Sequence, residues 1–320
     1  MTEQLSLFFE SWDFFKNAVF ASTIAGVLLG FSGVYILLKR MVFLSAAVSQ
    51  ISGAGIALAY LAGIHLHAAT GIDCHCAGDG GCHCHGMNEG FLRDLLSFVM
   101  DPIFFAIVAA LVTIYVLSLI QKGRGGDNSS VIAFVYLTGA SATLLIGTRI
   151  LSEVQDIQQL LFGNAVLVST GDLEVMVIMS GVLMVVHLYL FRGFCASAFF
   201  RERSQVAGLP AGVLDFVLLS MLAVALAVST RILGALPVFA LSVLPAMSVR
   251  LFCRSLKGMF IFSALSGGIF GFAGYVAAFV FHFPVGASQA GVCLATFVFF
   301  WIFRYIFRLF AGFRNKECNV

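Results

Sequence analysis

Residues 26–40 read Gly26-Val27-Leu28-Leu29-Gly30-Phe31-Ser32-Gly33-Val34-Tyr35-Ile36-Leu37-Leu38-Lys39-Arg40. No charge interrupts the run until two adjacent cations close it. The uncharged stretch reaches back to about Asn17, and the apolar segment to about Phe14. That is enough for the ~20 residues a helix needs to cross a bilayer core. Gly26, Gly30 and Gly33 recur at a spacing that puts them on one helix face. Small residues so placed let two helix backbones approach closely inside a membrane. The stretch reads as a transmembrane helix, tightly packed on one side and anchored by cations at its end.

The whole chain repeats that pattern. It has 320 residues, of which 60% are apolar and 11% charged, with a mean hydropathy of +1.02. A soluble globular chain would carry about 25% charged residues. A membrane β-barrel would show short alternating segments, and none are present. The chain is therefore read as an all-α polytopic membrane protein forming a single transmembrane domain over residues 1–320. Met1-Thr2-Glu3-Gln4 lacks a basic leader region, so the first apolar run is expected to be retained.

Successive spans are predicted at about Phe14–Leu38, Val42–Ile64, Leu95–Ile120, Ser130–Thr148, Leu173–Phe191, Leu214–Ser229, Leu233–Val249, Met259–Phe281 and Gly286–Phe303, giving about 8–9 transmembrane helices. Between the fourth and fifth lies Arg149–Leu161, whose apolar residues recur at helical spacing among charges, as in an interfacial amphipathic helix. Lys39/Arg40, Lys122/Arg124, Arg192/Arg201/Arg203, Arg250/Arg254/Lys257 and the basic tail fall on alternate connections. The positive-inside rule makes those the cytoplasmic side of a cell (inner or plasma) membrane. Arg231, at a short outer turn, is the one exception.

The opposite side receives the segment 65–94, and with it a dense group of metal ligands. Cys74-His75-Cys76 and Cys82-His83-Cys84-His85 flank a glycine-rich turn, and His65, His67 and Asp73 stand just before them. Thiolate and imidazole are the donors that zinc and its neighbours prefer. Two readings fit such a string outside the cytoplasm. It binds metal, or Cys74/Cys76 cross-pair with Cys82/Cys84 as disulfides. Interleaved imidazoles, which a disulfide scaffold does not need, favour metal. Almost no apolar residue is available there for a core, which disfavours a self-folding zinc module. The remaining cysteines, Cys195, Cys253, Cys293 and Cys318, are scattered and read as small hydrophobes.

Other polar residues carry weaker signals. Asp215, His187 and His282 lie near span ends; an ionisable group in a span is functional by default, while for the two histidines an interfacial role fits equally. Arg149, Glu153 and Asp156 suit either an outer mouth or a wetted amphipathic face. Leu265-Ser266-Gly267-Gly268-Ile269 resembles the signature of ATP-binding-cassette ATPases. It lies inside an apolar span, and the chain has no phosphate-binding G-x-x-x-x-G-K-[ST] loop, so it reads as helix packing. The cytoplasmic segment 196–211, with Arg201-Glu202-Arg203 and a Gly208-Leu209-Pro210 stop, reads as a short helix standing out of the membrane.

Several stretches resemble, in order, the permease subunit of the ABC-3 family of zinc and manganese importers. They are Gly26–Met41, Leu161-Phe-Gly-Asn164, Gln205-Val-Ala-Gly-Leu209, Arg231–Ala246 and Phe283-Pro-Val-Gly-Ala287. The resemblance implies a transport subunit that is not itself an enzyme, with ATP hydrolysed by a separate cytoplasmic ABC ATPase subunit. It implies an external metal-binding protein, and a homodimer or a paralogous permease as the membrane partner. The surrounding lipid is the other contact, and no nucleic acid is expected. It also makes Arg201–Leu209 the coupling helix, so that Arg201, Glu202, Arg203, Gln205 and Gly208 are candidates for the ATPase contact.

The family usually has an Asp and a His one turn apart in its second span, against the ion. Here those positions are Ala46 and Gln50. Only Gln50 and Ser49 remain to offer oxygen to a passing ion, and both are weak donors beside a carboxylate or an imidazole. The expected cargo is Zn2+, with Mn2+ or Fe2+ as alternatives, and no cofactor is bound permanently. The expected role of Cys74, His75, Cys76, Cys82, His83, Cys84, His85, His65 and His67 is to capture or gate that metal. The competing reading is a secondary transporter, exporter or membrane metal sensor that needs no ATPase. It calls for a pair of coupling carboxylates at mid-membrane, and no convincing pair is present.

Overall fold

The three glycines quoted above mark where the bundle is tightest. A computed structural model describes residues 12–70, 73–77, 81–85, 101–123, 129–150, 168–199, 211–253 and 255–317. Among these, α1 (Trp12–Leu38) packs along α9 (Leu256–Phe281) and against α8 (Ala235–Arg250). A Cβ on Gly26 would collide with the Gly267 carbonyl, on Gly30 with that of Ser263, and on Gly33 with that of Ser242. Backbones this close leave room for hydroxyl bridges. Ser263 Oγ donates to Gly30 O at 2.6 Å, and Ser22 Oγ donates to Gly271 O at 3.0 Å. The Gly267-Gly268 pair of the ATPase-like motif is thus spent on helix packing, as expected.

The other described helices are α2 (Val42–Thr70), α3 (Pro102–Gly123), α4 (Ser129–Ile150), α5 (Thr170–Tyr189), α6 (Phe191–Phe199), α7 (Ala211–Leu233) and α10 (Val285–Glu317). Helix α2 packs on α3 and α4, and α7 on α3, so that α1, α2, α7 and α8 form the buried middle. Strands β1 (Asp73–Ala77) and β2 (Gly81–His85) form an antiparallel ribbon. The outer wall is apolar too: Phe299, Trp301 and Phe307 of α10 are more than half exposed. A continuous apolar exterior belongs against lipid or another membrane helix.

Eight described helices are long and apolar enough to cross a membrane, by length and composition. The seventh predicted span, about Leu233–Val249, is instead the 16-residue α8. At 1.5 Å per residue it is about 24 Å long, short of a ~30 Å hydrocarbon core. It starts abruptly because Gly234, with φ 90°, is the sole residue between α7 and α8. Helix α2 also runs further than predicted. It continues through Thr70, so His65 and His67, read as loop residues, lie on its last turns. The amphipathic reading of Arg149–Leu161 lies outside the described residues beyond Ile150.

Arg231, the exception to the charge rule, is compensated. Its guanidinium sits at the end of α7 between two carboxylates, 3.1 Å from Asp101 Oδ1 and 3.3 Å from Asp172 Oδ1. Both acids lie at helix starts: Asp101 accepts from Ile103 N, and Asp172 is in the first turn of α5. Cation at a helix end and anions at helix starts also match the helix dipoles. Replacing Arg231 by Ala is expected to lower unfolding stability by about 2 kcal/mol. That is less than the ~3–5 kcal/mol of a fully buried pair, since the side chains keep some exposure. Arg231→Lys should lose part of that, because an ammonium lacks the fork that spans two carboxylates. Unfolding in detergent by heat or denaturant measures both.

Candidate translocation site

Ala46 and Gln50 sit one turn apart on α2, so they share a helix face. That face borders a cavity of about 430 Å³ between α2, α4 and α8. Phe43, Tyr136, Leu137, Leu236 and Phe239 supply most of the wall, and polar donors come only from Gln50 and Tyr136. Gln50 Oε1 is buried without a hydrogen-bond partner. The position is held firmly: Thr143 Oγ1 donates to Gln50 O at 3.2 Å, and a Cβ on Gly139 would come within 2.7 Å of Ile51 N. Helix α4 thus presses its glycine directly against the backbone beside Gln50. Ser49 behaves differently. It is fully buried, its Oγ lacks a hydrogen-bond partner, and it is not part of the cavity wall.

An unpaired amide oxygen in an apolar wall is an uncomfortable arrangement, because a buried polar group without a partner costs roughly 1–3 kcal/mol. It offers one weak ligand to whatever enters. No carboxylate, thiol or imidazole lines the cavity. Nor do the described residues anywhere bring together three or more His, Cys, Asp or Glu side chains able to hold a metal ion.

The Cys/His string falls on the β1–β2 ribbon. Its register pairs Asp73 with His85, Cys74 with Cys84, His75 with His83, Cys76 with Cys82 and Ala77 with Gly81. All seven ligands of the string are therefore in the ribbon, whereas His65 and His67 are on α2.

At the opposite end of α1 the sequence signal was thin and the structure is specific. Lys39 Nζ donates to Asp215 Oδ1 at 2.7 Å, and the Ser197 hydroxyl donates to the same oxygen. Lys39 and Asp215 are only 11% and 14% exposed. Ser197 lies on α6, near the start of the 196–211 segment, and Asp215 on α7, just beyond its end. Through Asp215 both flanks of that segment are tied to the end of α1. Arg201, Glu202, Arg203, Gln205 and Gly208 themselves lie outside the described residues. Lys39 was legible only as an orientation signal and Asp215 only as a span-end acid; nothing in their spacing announces a pair 176 residues apart.

His187 turns out to be neither interfacial nor exposed. It is fully buried, packed by the rings of Phe31, Tyr35 and Phe194 at 5.8, 5.7 and 5.6 Å, and its Nδ1 lies 2.8 Å from Leu183 O. His282 caps the end of α9 in the left-handed conformation and faces out. Burial pushes the Cys195 thiol up, which keeps it protonated and unreactive, in line with a packing role.

The ABC 3 transport family profile matches residues 11–77 and 78–305. The chain belongs to the ABC 3 transport family. Relatives across the family align along nearly all of its length. The manganese transport system membrane protein MntC of Halalkalibacterium halodurans is 23% identical, covering 98% of this chain and 98% of its own. The manganese import system permease protein ScaB of Streptococcus gordonii is 20% identical, covering 86% of each. Among solved structures, PsaBC from Streptococcus pneumoniae in complex with Fab contains a chain with the same fold. The TM-score is 0.73 at 18% identity, over 93% of this chain and 95% of that one. In this ABC 3 chain the cavity is bordered by Ala46 and Gln50, the two positions where the resemblance implies an Asp and a His, and no carboxylate or imidazole lines it.

Proposed function

We propose that this chain is the membrane-spanning permease subunit of an ATP-driven importer of divalent metal, with zinc as its cargo. The observation that carries this reading is the family match over residues 11–77 and 78–305, and the cavity bordered by Ala46 and Gln50 supports it. ATP is hydrolysed by a separate cytoplasmic subunit, an external binding protein delivers the metal, and a second permease copy or a paralogue completes the membrane unit. The Cys/His ribbon and the outer ends of the helices face away from the cytoplasm, and the ribbon captures or gates the ion.

The choice of metal rests on donor chemistry. Manganese is the cargo named for MntC and ScaB, and it is the second reading for this chain. Manganese suits carboxylate and carbonyl oxygen, whereas thiolate and imidazole suit zinc. The ribbon offers four cysteines and three histidines, and the cavity offers no carboxylate. The ribbon's composition favours zinc over manganese, and the cavity, which has no carboxylate, thiol or imidazole, favours neither.

Two tests bear on the parts of this reading. Changing Cys74, His75, Cys76, Cys82, His83, Cys84 and His85 together to Ser is expected to reduce uptake mainly at scarce zinc. Metal-limited uptake assays over a range of zinc concentrations measure it, and loss at every concentration would make the ribbon an obligatory part of the path. Asp215→Asn is expected to slow ATP-driven transport several-fold, because it releases the tie between α1 and the borders of the coupling segment. The exchange Lys39→Asp with Asp215→Lys should restore part of the rate. Parallel transport and ATPase assays on reconstituted complex measure both, and an unchanged rate in Asp215→Asn would detach this pair from coupling.

A further inference from the structure

Beyond Asp215 the chain carries no acid until Glu317, yet it holds eight lysines and arginines in between. Three of these gather at one corner of the bundle: Arg250 at the end of α8, Lys257 in the first turn of α9, and Arg304 on α10. The corner is fastened. Arg304 donates from its guanidinium to the Leu251 carbonyl, and the Phe252 ring packs on Phe300 at 5.5 Å and on Phe303 at 6.4 Å. Helix α10 thereby fixes the turn that joins Arg250 to Lys257.

The charges of this corner are not balanced within the described residues. Arg250 and Lys257 are exposed, and no described carboxylate pairs with either of them or with Arg304. Lys257 also has the wrong sign for its place, since a helix start favours negative charge and α9 has no acid in its first turn. An anion from outside the chain would answer all three cations.

The surroundings indicate which anion. Phe299, Trp301, Phe303, Tyr305 and Phe307 of α10 are each more than half exposed, and Trp301 stacks on Tyr305 at 6.2 Å. Such a wall belongs against acyl chains, and Trp and Tyr collect where a membrane meets water. Cations at the head of that wall stand at the level of lipid headgroups. We infer that the α8–α9 turn and the facing part of α10 bind an anionic phospholipid, its phosphate among Arg250, Lys257 and Arg304 and its acyl chains along α10. The inference rests on the membrane placement of the bundle, not on the cargo. An acidic protein surface would match the charges but not the exposed rings beside them. Helix α8 also carries Leu236 and Phe239 of the cavity wall near its other end, so a lipid held at Arg250 steadies a helix that lines the cavity.

Native mass spectrometry of the full-length protein released from micelles tests this, with phosphatidylglycerol and phosphatidylcholine as probes. One phosphatidylglycerol per chain should be retained in preference to phosphatidylcholine, and added salt should weaken that preference. A basic residue near an anionic membrane surface contributes a factor of about five to binding. The R250Q/K257Q variant should therefore bind phosphatidylglycerol at least tenfold more weakly, with phosphatidylcholine unaffected, while the charge-keeping R250K/K257R variant retains the preference. Arg192, an exposed cation on α6, serves as control, and R192Q should behave as the parent. Unchanged phosphatidylglycerol binding in R250Q/K257Q would overturn the inference. An equal loss in R192Q would do so too, by reducing the corner to general surface charge. Glycerophosphoglycerol, the same headgroup without acyl chains, should fail to displace the lipid; displacement at equal concentration would mean a phosphate site and not a lipid site. Release of the lipid on adding the ATPase subunit would assign the corner to that subunit instead. Uptake plays no part in these readouts, so failure of the importer reading would leave them untouched.

Discussion

Gly33→Ala is expected to destabilise the protein by about 3 kcal/mol or more, and Gly33→Leu to prevent accumulation of folded chain. The first Cβ at that position would overlap the Ser242 carbonyl oxygen, with the Ala246 methyl 3.6 Å away. Neither neighbour is a flexible side-chain tip that could swing aside. Helices α1 and α8 would have to separate, and overpacking that forces backbone shifts lies at or above the usual 1–3 kcal/mol. Gly26, Gly30 and Gly267 should behave the same way, since each meets a backbone carbonyl. Gly181, in the exposed middle of α5, has nothing within 4 Å of an added Cβ. Gly181→Ala should therefore stabilise by about 0.5–1 kcal/mol through helix propensity alone. Unfolding free energies of the variants in mixed micelles measure the contrast, and a Gly33→Ala change no worse than Gly181→Ala would contradict the packing described.

The second large effect concerns the cavity. Ala46→Asp with Gln50→His is expected to create a metal site where none now exists, tightening zinc binding in the bundle at least tenfold. The two positions already share a face and line one cavity, so a carboxylate and an imidazole one turn apart would converge there. A ligand that binds only the folded state stabilises it by about 2.7 kcal/mol at a hundred times its Kd. The double variant, built with the seven ribbon ligands changed to Ser, should thus show a zinc-dependent rise in Tm that its parent lacks. Without metal it should be less stable than the parent, since the new carboxylate would be buried in an apolar wall. Calorimetric scans with and without zinc measure both signs. Equal Tm shifts in parent and variant would show that the cavity is not a place where ions dwell.

Much of the bundle was legible in the sequence because its signals are local. Apolar runs near bilayer length, cations at alternate ends and glycines at helical spacing need no knowledge of partners. The seventh apolar run failed as a span for a local reason as well: Gly234 begins α8 late and Arg250 ends it early, leaving 16 residues. What the sequence did not show are the pairings made across it. Lys39 with Asp215, and Arg231 with Asp101 and Asp172, join residues from distant helices, and no pattern at the scale of one helix encodes them. The Cys/His stretch marks the same boundary. Composition pointed to metal chemistry, but only the pairing of Asp73–Ala77 with Gly81–His85 separates the cysteines from the histidines along the ladder. His187 is the reverse case. Its position near a helix end suggested an interface, whereas three aromatic rings from α1 and α6 bury it.

The departures at Ala46 and Gln50 give the cavity its meaning. A bare divalent ion is costly to hold in an apolar space without anionic or imidazole ligands, since desolvation dominates there. In the importer proposed above, a path with weak ligands would bind loosely and release readily, and selection would be made earlier, at the ribbon.

Uptake into proteoliposomes containing this chain and its ABC ATPase subunit, with the external binding protein supplying radiolabelled zinc, tests the central claim most directly. The account predicts zinc accumulation that requires ATP and the ATPase and saturates at lower concentration for zinc than for manganese. Zinc movement that proceeds equally without ATP, or no metal accumulation with every component present, would contradict it.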